Sequence, residues 1–332
     1  MLTNPKTLLF SSTLVLGTLI SLTSSSWFGT WIGLEINLLS FIPLISKTNN
    51  QRHTESALKY FLVQAIASSL LLMAIILLYM GLQTTYYLIT ISLLFKMGAA
   101  PLHFWMPEVM EAMLWMDCII LMTWQKLAPL GLLSYSLKPT NLIYLTLTLS
   151  LLVGSIGGLN QTSLRKIMAF SSINHTGWML MALLLSDMAW SLYFLFYALL
   201  SAMAVTLFAM NKMFHINQTF SNKIVVTTKL AIFTSLLSLG GLPPFLGFLP
   251  KWIIIMKTAE QMSFIILTLM VMTALITLFY YMRIAYAAFI INHHNQTWTS
   301  LVKKNQETSI SSMFIITSLS GMIILPLTVN MF

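Results

Sequence analysis

Residues 57–80 read ALKYFLVQAIASSLLLMAIILLYM, an apolar run whose single charge, Lys59, lies close to its start. An α-helix needs roughly 20 mostly apolar residues, within a range of about 17–25, to cross the hydrocarbon core of a bilayer. The run meets that requirement. The stretch therefore predicts a transmembrane helix.

The composition of the whole chain agrees with a membrane protein. Of 332 residues, 58% are hydrophobic and only 8% are charged, and the mean hydropathy is +0.85. An ordinary soluble domain carries about 25% charged residues. The composition therefore excludes a soluble globular protein.

Similar apolar segments follow one another along the chain, joined by mostly short polar connections. They predict an all-α, polytopic membrane protein of about eleven transmembrane helices that forms a single membrane domain over residues 1–332. The first helix is expected to be retained, because no convincing cleavage site follows it. The segments are 8–22, 28–45, 57–80, 86–104, 112–136, 140–159, 167–186, 188–210, 230–256, 262–291 and 309–331.

The distribution of Lys and Arg predicts the orientation. Cytoplasmic or matrix loops of membrane proteins carry an excess of these residues. Eleven alternating spans put twelve basic residues on the side of the N-terminus and only Lys138 and Lys257 on the other side, where the C-terminus lies. The twelve are Lys6, Lys47, Arg52, Lys59, Arg165, Lys166, Lys212, Lys223, Lys229, Arg283, Lys303 and Lys304.

Several function classes lose support from what the sequence omits. The single cysteine, Cys118, allows neither an intramolecular disulfide nor a cysteine-based metal site. No HExxH, GxGxxG, GxxxxGK[ST] or GxSxG motif occurs, which disfavours nucleotide binding and nucleophilic hydrolysis. The net charge is +9, but the basic residues are spread singly through apolar sequence. Their placement in loops beside a membrane explains them better than nucleic-acid binding does.

Four ionisable residues fall near the middle of predicted spans: Glu35, Lys96, Lys126 and Lys251. Such a group costs about 2.5–3.5 kcal/mol at mid-bilayer on insertion scales. Two interpretations remain open. Glu35 pairs with a lysine and locks two helices together, or the four groups form a row of protonatable sites along a hydrated path.

The other ionisable candidates are weaker. His175 lies mid-span in SSINHTGWM and is either a relay or a structural group. Asp117 and Glu111 are either proton-uptake groups or solvated charges at a helix end. His103 follows Pro101, and no role is predicted for it. The histidines in loops also receive no predicted role: His53, His215, His293 and His294.

Two predicted helices contain stretches that break a helix, KMGAAP at 96–101 and GGLPPFLGFLPK at 240–251. Proline removes a backbone hydrogen bond, and freed carbonyls inside a membrane are tolerated only against protein or water. These are helices 4 and 9 of the series. Their positions predict two inverted five-helix repeats, 1–136 and 140–291, each broken at its fourth helix, with an extra helix at 309–331.

Five blocks carry a resemblance to a known family. They are GLEINLLSFIPL around Glu35, KMGAAPLHFWMPEV from Lys96, TWQKLAPL around Lys126, GGLNQTSLRKIMAFSSINHTGWM around His175 and GGLPPFLGFLPKW up to Trp252. In this order they resemble the chain 2 family of antiporter-like membrane subunits of mitochondrial respiratory complex I, and WMDC at 115–118 suggests an arthropod member. Bacterial relatives have fourteen helices, of which the animal chains lack the first three.

The resemblance implies a proton-pumping subunit of the mitochondrial inner membrane. Its proton path would use Glu35 and Lys96 as an ion pair, Lys126 as the central lysine, His175 as a bridging histidine and Lys251 as the distal lysine. Asp117 lies outside the matched motifs and receives no role. A cation/proton antiporter subunit and a non-pumping scaffold remain as alternatives.

The resemblance also implies what surrounds the chain. No cofactor is expected in this chain, because NADH, FMN, the iron–sulfur clusters and ubiquinone would be handled by other subunits. The expected partners are other membrane-arm subunits, namely the antiporter-like chain 4, the small chain 4L, chain 6 and accessory subunits. Membrane lipids, with cardiolipin as a candidate, complete the set, and no nucleic acid is expected.

Overall fold

A computed structural model describes residues 5–46, 50–82, 84–136, 140–219, 226–286 and 305–321. Within these ranges the chain is helical, and the one β-type pairing is an isolated bridge between Ser163 and His215. The helices are α1 (Pro5–Thr23), α2 (Trp27–Ile45), α3 (Gln51–Tyr79), α4 (Thr85–Met97), α5 (Trp105–Ala112), α6 (Trp115–Met122), α7 (Trp124–Tyr135), α8 (Thr140–Gly157), α9 (Leu164–Leu185), α10 (Asp187–Met210), α11 (Ile216–Thr219), α12 (Val226–Gly240), α13 (Phe248–Glu260), α14 (Phe264–Tyr286) and α15 (Asn305–Leu319).

Each apolar segment of the sequence overlaps at least one helix in the described chain. Seven helical stretches among the described residues are long and apolar enough to cross a membrane. The larger number of eleven spans stays a prediction. The seven are Pro5–Thr23, Trp27–Ile45, Gln51–Tyr79, Trp115–Tyr135, Leu164–Leu185, Asp187–Met210 and Phe264–Tyr286.

Some predicted boundaries were wrong. Helix α3 begins at Gln51, inside a stretch predicted to be a connection, and α5 occupies another such stretch. The end of the fourth predicted segment is a turn rather than a helix, because α4 already ends at Met97. The ends of the predicted helices 262–291 and 309–331 lie partly outside the described residues.

Both stretches that were expected to break a helix do so. Helix α4 ends at Met97, the following Gly98 has a φ of 70°, and residues 98–104 lie outside the helices before α5 begins. Helix α12 ends at Gly240, Gly241 has a φ of 81°, and helical structure resumes at α13. A third break, between α6 and α7 at Thr123, was not predicted.

The chain divides into two compact units, Met1–Ser150 and Leu151–Phe332. In the first unit, α1 and α2 pack closely where two glycines face each other. A Cβ on Gly33 would lie 2.8 Å from the carbonyl oxygen of Gly17, so this approach requires the missing side chain. The rings of Phe41, Tyr60 and Trp105 pack in succession, with centroids 5.2 and 6.0 Å apart, and join α2, α3 and α5.

Helix α9 is the most enclosed helix of the second unit. Of its most apolar 18-residue window, 89% is buried by the chain itself, which is typical of a helix surrounded by others. Helices α10 and α13 pack against it. Arg283 of α14 donates to the carbonyl oxygens of Leu159 and Gln161, at 2.6 and 3.0 Å, and fixes the turn that precedes α9.

Candidate functional site

The three lysines that were predicted to lie mid-span are all buried, and each lies next to a break. Lys96, Lys126 and Lys251 expose 7%, 1% and 5% of their surface. Lys96 is in the last turn of α4, whereas Lys126 and Lys251 lie in the first turns of α7 and α13. Each lysine therefore lies close in sequence to the C-terminal end of a helix (α4, α6 or α12), where the last carbonyl oxygens lack partners within that helix and can accept from an ammonium.

Lys96 and Glu35 interact through charge rather than by direct contact. Glu35, on α2, is half-buried and lies close enough for its carboxylate charge to act on the Lys96 ammonium. In the described chain the two side chains share neither a hydrogen bond nor an ion pair within 4.0 Å. A tight ion pair that locks α2 to α4 is therefore absent from this conformation.

A polar network connects the helices around Lys96 and Lys126. Gln125, the neighbour of Lys126, donates from Nε2 to Oδ1 of Asn37 at 2.9 Å. The Tyr60 hydroxyl donates to Oε1 of Gln125 at 3.4 Å. Sequence reasoning missed both amides, although Asn37 and Gln125 stand in the same quoted blocks as the charged residues. Their position in the sequence, close to a charge predicted to lie mid-span, could have identified them.

The remaining ionisable candidates of the first unit have distinct environments. Asp117 lies in the first turn of α6 and exposes only 9% of its surface, so it is at a helix end but is not solvated. Glu111 is half-buried. His103 is buried within the α4–α5 break, and its Nδ1 lies 3.2 Å from the carbonyl oxygen of Pro101. That contact fits a structural role for His103.

In the second unit, Lys251 binds the broken end of the preceding helix. Its Nζ donates to the carbonyl oxygens of Leu239 and Gly240, at 3.1 and 2.8 Å. These are among the last carbonyls of α12, which lack partners within their own helix and carry the negative end of its dipole. The ammonium also lies 5.6 Å from the centroid of the Trp178 ring. The lysine thus caps α12 from the first turn of α13.

His175 of α9 is held by a tyrosine of α10. Its Nδ1 lies 2.8 Å from the Tyr193 hydroxyl, and its ring centroid lies 4.9 Å from that of Tyr197. The Tyr193 ring stacks on Trp178, with a 2° angle between the planes and 6.3 Å between centroids. Sequence reasoning missed these three aromatic residues, because no motif marks a contact between two helices.

The five predicted site residues fall into two groups. The first unit holds Glu35, Lys96 and Lys126, and the second holds His175 and Lys251. Across the described ranges, no set of three or more His, Cys, Asp and Glu side chains is grouped to hold a metal ion. Each group combines buried cations with adjacent polar partners, which is an arrangement suited to holding and releasing protons.

Comparison with known sequences gives consistent relatives. The profile of the NADH:quinone oxidoreductase/Mrp antiporter transmembrane family matches residues 24–277. NADH-ubiquinone oxidoreductase chain 2 of Anopheles gambiae is 49% identical over 96% of both chains. The protein of the same name from Locusta migratoria is 43% identical over 92% of both chains. The one from Hippopotamus amphibius is 40% identical over 96% of this chain and 95% of its own.

Solved structures share the fold. A chain of respiratory complex I from Thermus thermophilus with bound aureothin matches with a TM-score of 0.83 and 24% identity, over 97% of this chain and 80% of that one. A chain of the Mrp complex from a Dietzia species matches with a TM-score of 0.78 and 18% identity, over 87% of this chain and 61% of that one. At these identities the two structures support the fold alone.

Proposed function

The chain belongs to the NADH:quinone oxidoreductase/Mrp antiporter family, as a proton-translocating membrane-arm subunit of respiratory complex I, and we propose that Glu35 together with buried Lys and His side chains carries the protons. The observation that carries this proposal is the placement of Lys251, which caps the broken end of α12. Lys96 and Lys126 also lie beside breaks, in the last turn of α4 and in the first turn of α7. Lysines placed only for packing would not be expected to recur at every break.

The geometry at Lys251 supports a site that binds and releases a proton. The protonated ammonium donates to two carbonyl oxygens, and a neutral amine would bind them more weakly. A hydrogen bond that involves a charged group contributes about 1.5–3 kcal/mol. Moving one charge against about 100 mV costs about 2.3 kcal/mol. Breaking one such bond is therefore comparable in energy to the pumping step.

The relay comprises Glu35, Lys96 and Lys126 in the first unit, and His175 and Lys251 in the second. In this proposal other subunits handle the flavin, the iron–sulfur clusters and the quinone, and NADH oxidation reaches this chain as a conformational or electrostatic change. The complex would then act as an H⁺-translocating NADH:ubiquinone reductase, a translocase.

The membrane arrangement proposed for this function follows the charge distribution. The chain would cross the mitochondrial inner membrane eleven times, with its N-terminus in the matrix and its C-terminus in the intermembrane space. Two inverted repeats would each contain one of the breaks described at α4 and α12. The chain sits among other membrane-arm subunits, for which chains 4, 4L and 6, accessory subunits and cardiolipin are the proposed neighbours.

Substitution of Lys251 tests the relay directly. Lys251→Met removes the ammonium and should abolish proton transfer at this site and slow NADH-to-quinone turnover in the assembled complex. Lys251→Arg keeps a charge but cannot readily release it, so it should impair pumping as well. Lys257→Met, on the same helix but near its far end, is the matched control and should pump normally.

The arginine variant decides between two roles of Lys251. If Lys251→Arg pumps at the full rate while Lys251→Met does not, Lys251 acts as a fixed charge, and the relay role is wrong. The measurement is NADH-driven acidification of proteoliposomes, normalised to the amount of assembled complex.

A further inference from the structure

A buried hydrogen bond connects His175 to Tyr193. The distance between Nδ1 and the hydroxyl oxygen is 2.8 Å, and the two residues expose 7% and 2% of their surface. Water therefore has little access to either group, and each satisfies the polar atom of the other. We propose that Tyr193 is a positioning residue, which holds the imidazole of His175 in one orientation for proton transfer. The proposal rests on the relay function proposed above.

Tyrosine is suited to this role because its hydroxyl both donates and accepts. It donates to Nδ1 when that nitrogen carries no proton, and it accepts from Nδ1 when the nitrogen is protonated. The ring can therefore gain or lose a proton without leaving Nδ1 unsatisfied in the protein interior. Because Nδ1 is bound to Tyr193, Nε2 becomes the atom that exchanges protons with the rest of the path.

The ring of Tyr193 extends the contact toward Lys251. His175 and Trp178 are three residues apart on α9 and thus lie on one face of that helix. Tyr193 hydrogen-bonds to the first and stacks on the second. The Lys251 ammonium lies over the ring of Trp178, 5.6 Å from its centroid. A movement of Lys251 away from Trp178 would therefore change the surroundings of the ring on which Tyr193 stacks.

The other titratable groups around His175 belong to three helices. On α10, Tyr197 packs its ring against the imidazole. On α14, Tyr281 lies near both Tyr193 and Tyr197 and packs against Tyr280. On α13, Lys251 contributes the cation. Tyr197 therefore offers a matched control, since it is equally buried and contacts the same ring, but the hydrogen bond to Nδ1 comes from Tyr193.

The test compares Tyr193→Phe with Tyr197→Phe in the assembled complex. Both variants keep the aromatic ring and lose one buried hydroxyl. Tyr193→Phe should displace the pH profile of NADH-driven proton transport by about one pH unit, because the hydroxyl binds the charged imidazole more strongly than the neutral one and only this difference affects titration. Tyr197→Phe should leave the profile in place. If Tyr193→Phe instead lowers the transport rate equally at every pH, Tyr193 has only a packing role, and the proposal is overturned.

A double-mutant cycle with His175→Gln separates the positioning role of Tyr193 from the relay role of His175. If Tyr193 acts through His175, Tyr193→Phe should have no further effect on transport in the His175→Gln background. Additive losses would overturn the positioning role and leave the relay intact. If His175→Gln alone pumps at the full rate with an unchanged pH profile, the relay role of His175 fails, and the positioning role fails with it.

Discussion

Substitution of Gly241 by alanine should disable the Lys251 site without touching the lysine itself. Gly241 has a φ of 81°, and a Cβ at this position would lie 2.8 Å from Cδ of Lys251 and 3.2 Å from its Nζ. The lysine side chain would have to move away from the end of α12. Its hydrogen bonds to the carbonyl oxygens of Leu239 and Gly240 would then lengthen or break.

The magnitude follows from two separate costs. An alanine in a left-handed conformation is destabilised by about 1–2 kcal/mol relative to glycine. Loss of one of the two charge-assisted hydrogen bonds adds about 1.5–3 kcal/mol. The second cost alone lowers the population of the docked lysine by about tenfold or more, since about 1.4 kcal/mol corresponds to a factor of ten.

Gly81 supplies a control with the same backbone conformation. Its φ is also 81°, but a Cβ there would meet no heavy atom within 4 Å. Gly81→Ala should therefore carry the backbone cost alone. We expect a modest loss of thermal stability in both variants, and a loss of NADH-driven proton transport of about tenfold in Gly241→Ala only.

Proteoliposomes that contain the assembled complex allow both quantities to be measured on the same preparation. Equal transport rates in Gly81→Ala and Gly241→Ala, at equal assembly, would refute the reasoning. The contact between Lys251 and the end of α12 would then be dispensable for pumping.

Three further predictions concern the first unit and the topology. Glu35→Gln removes the charge that acts on Lys96, so NADH-driven pumping should fall while the complex still assembles; loss of assembly, with normal pumping in the residual complex, would instead indicate a structural lock. A membrane-impermeant reagent on the matrix side should modify residues 211–218 and spare residues 257–261, and the reverse pattern in a labelling map would contradict the eleven-span topology. Glu108→Gln removes an exposed ion pair with Lys59, of 3.2 Å, and should leave the thermal stability of the complex unchanged, since exposed pairs contribute little; a clear drop in the melting temperature in a thermal shift assay would contradict this.

The sequence predicts the helices and two of the three breaks because both depend on local chemistry. Apolar runs of sufficient length form membrane helices, and the glycines and prolines at 98–101 and 240–244 terminate them where expected. The break at Thr123 has neither glycine nor proline. Its backbone, with φ at −108° and ψ at −73°, departs from the helix through its tertiary setting. No local pattern encodes that departure.

The candidate site was predictable in its charges but not in its partners. A buried lysine in a membrane span is recognisable from the sequence alone, because few structural reasons justify its cost. The partners of Lys251 are backbone carbonyls eleven and twelve residues away, and any sequence has carbonyls there. Tyr193 lies eighteen residues from His175 on another helix. Only the packing of α10 against α9 shows that the two side chains meet.

The central claim is that this chain moves protons through its buried lysines, and Lys126→Met tests it most directly. The measurement is the rate of NADH-driven proton transport in proteoliposomes, together with NADH oxidation by an artificial acceptor that bypasses the membrane arm. Lys126 exposes 1% of its surface and lies beside the break at Thr123. We predict unchanged oxidation by the artificial acceptor and a fall in proton transport of about a hundredfold, the scale of a lost proton-transfer group. Proton transport at the wild-type rate in the fully assembled Lys126→Met complex would contradict the account.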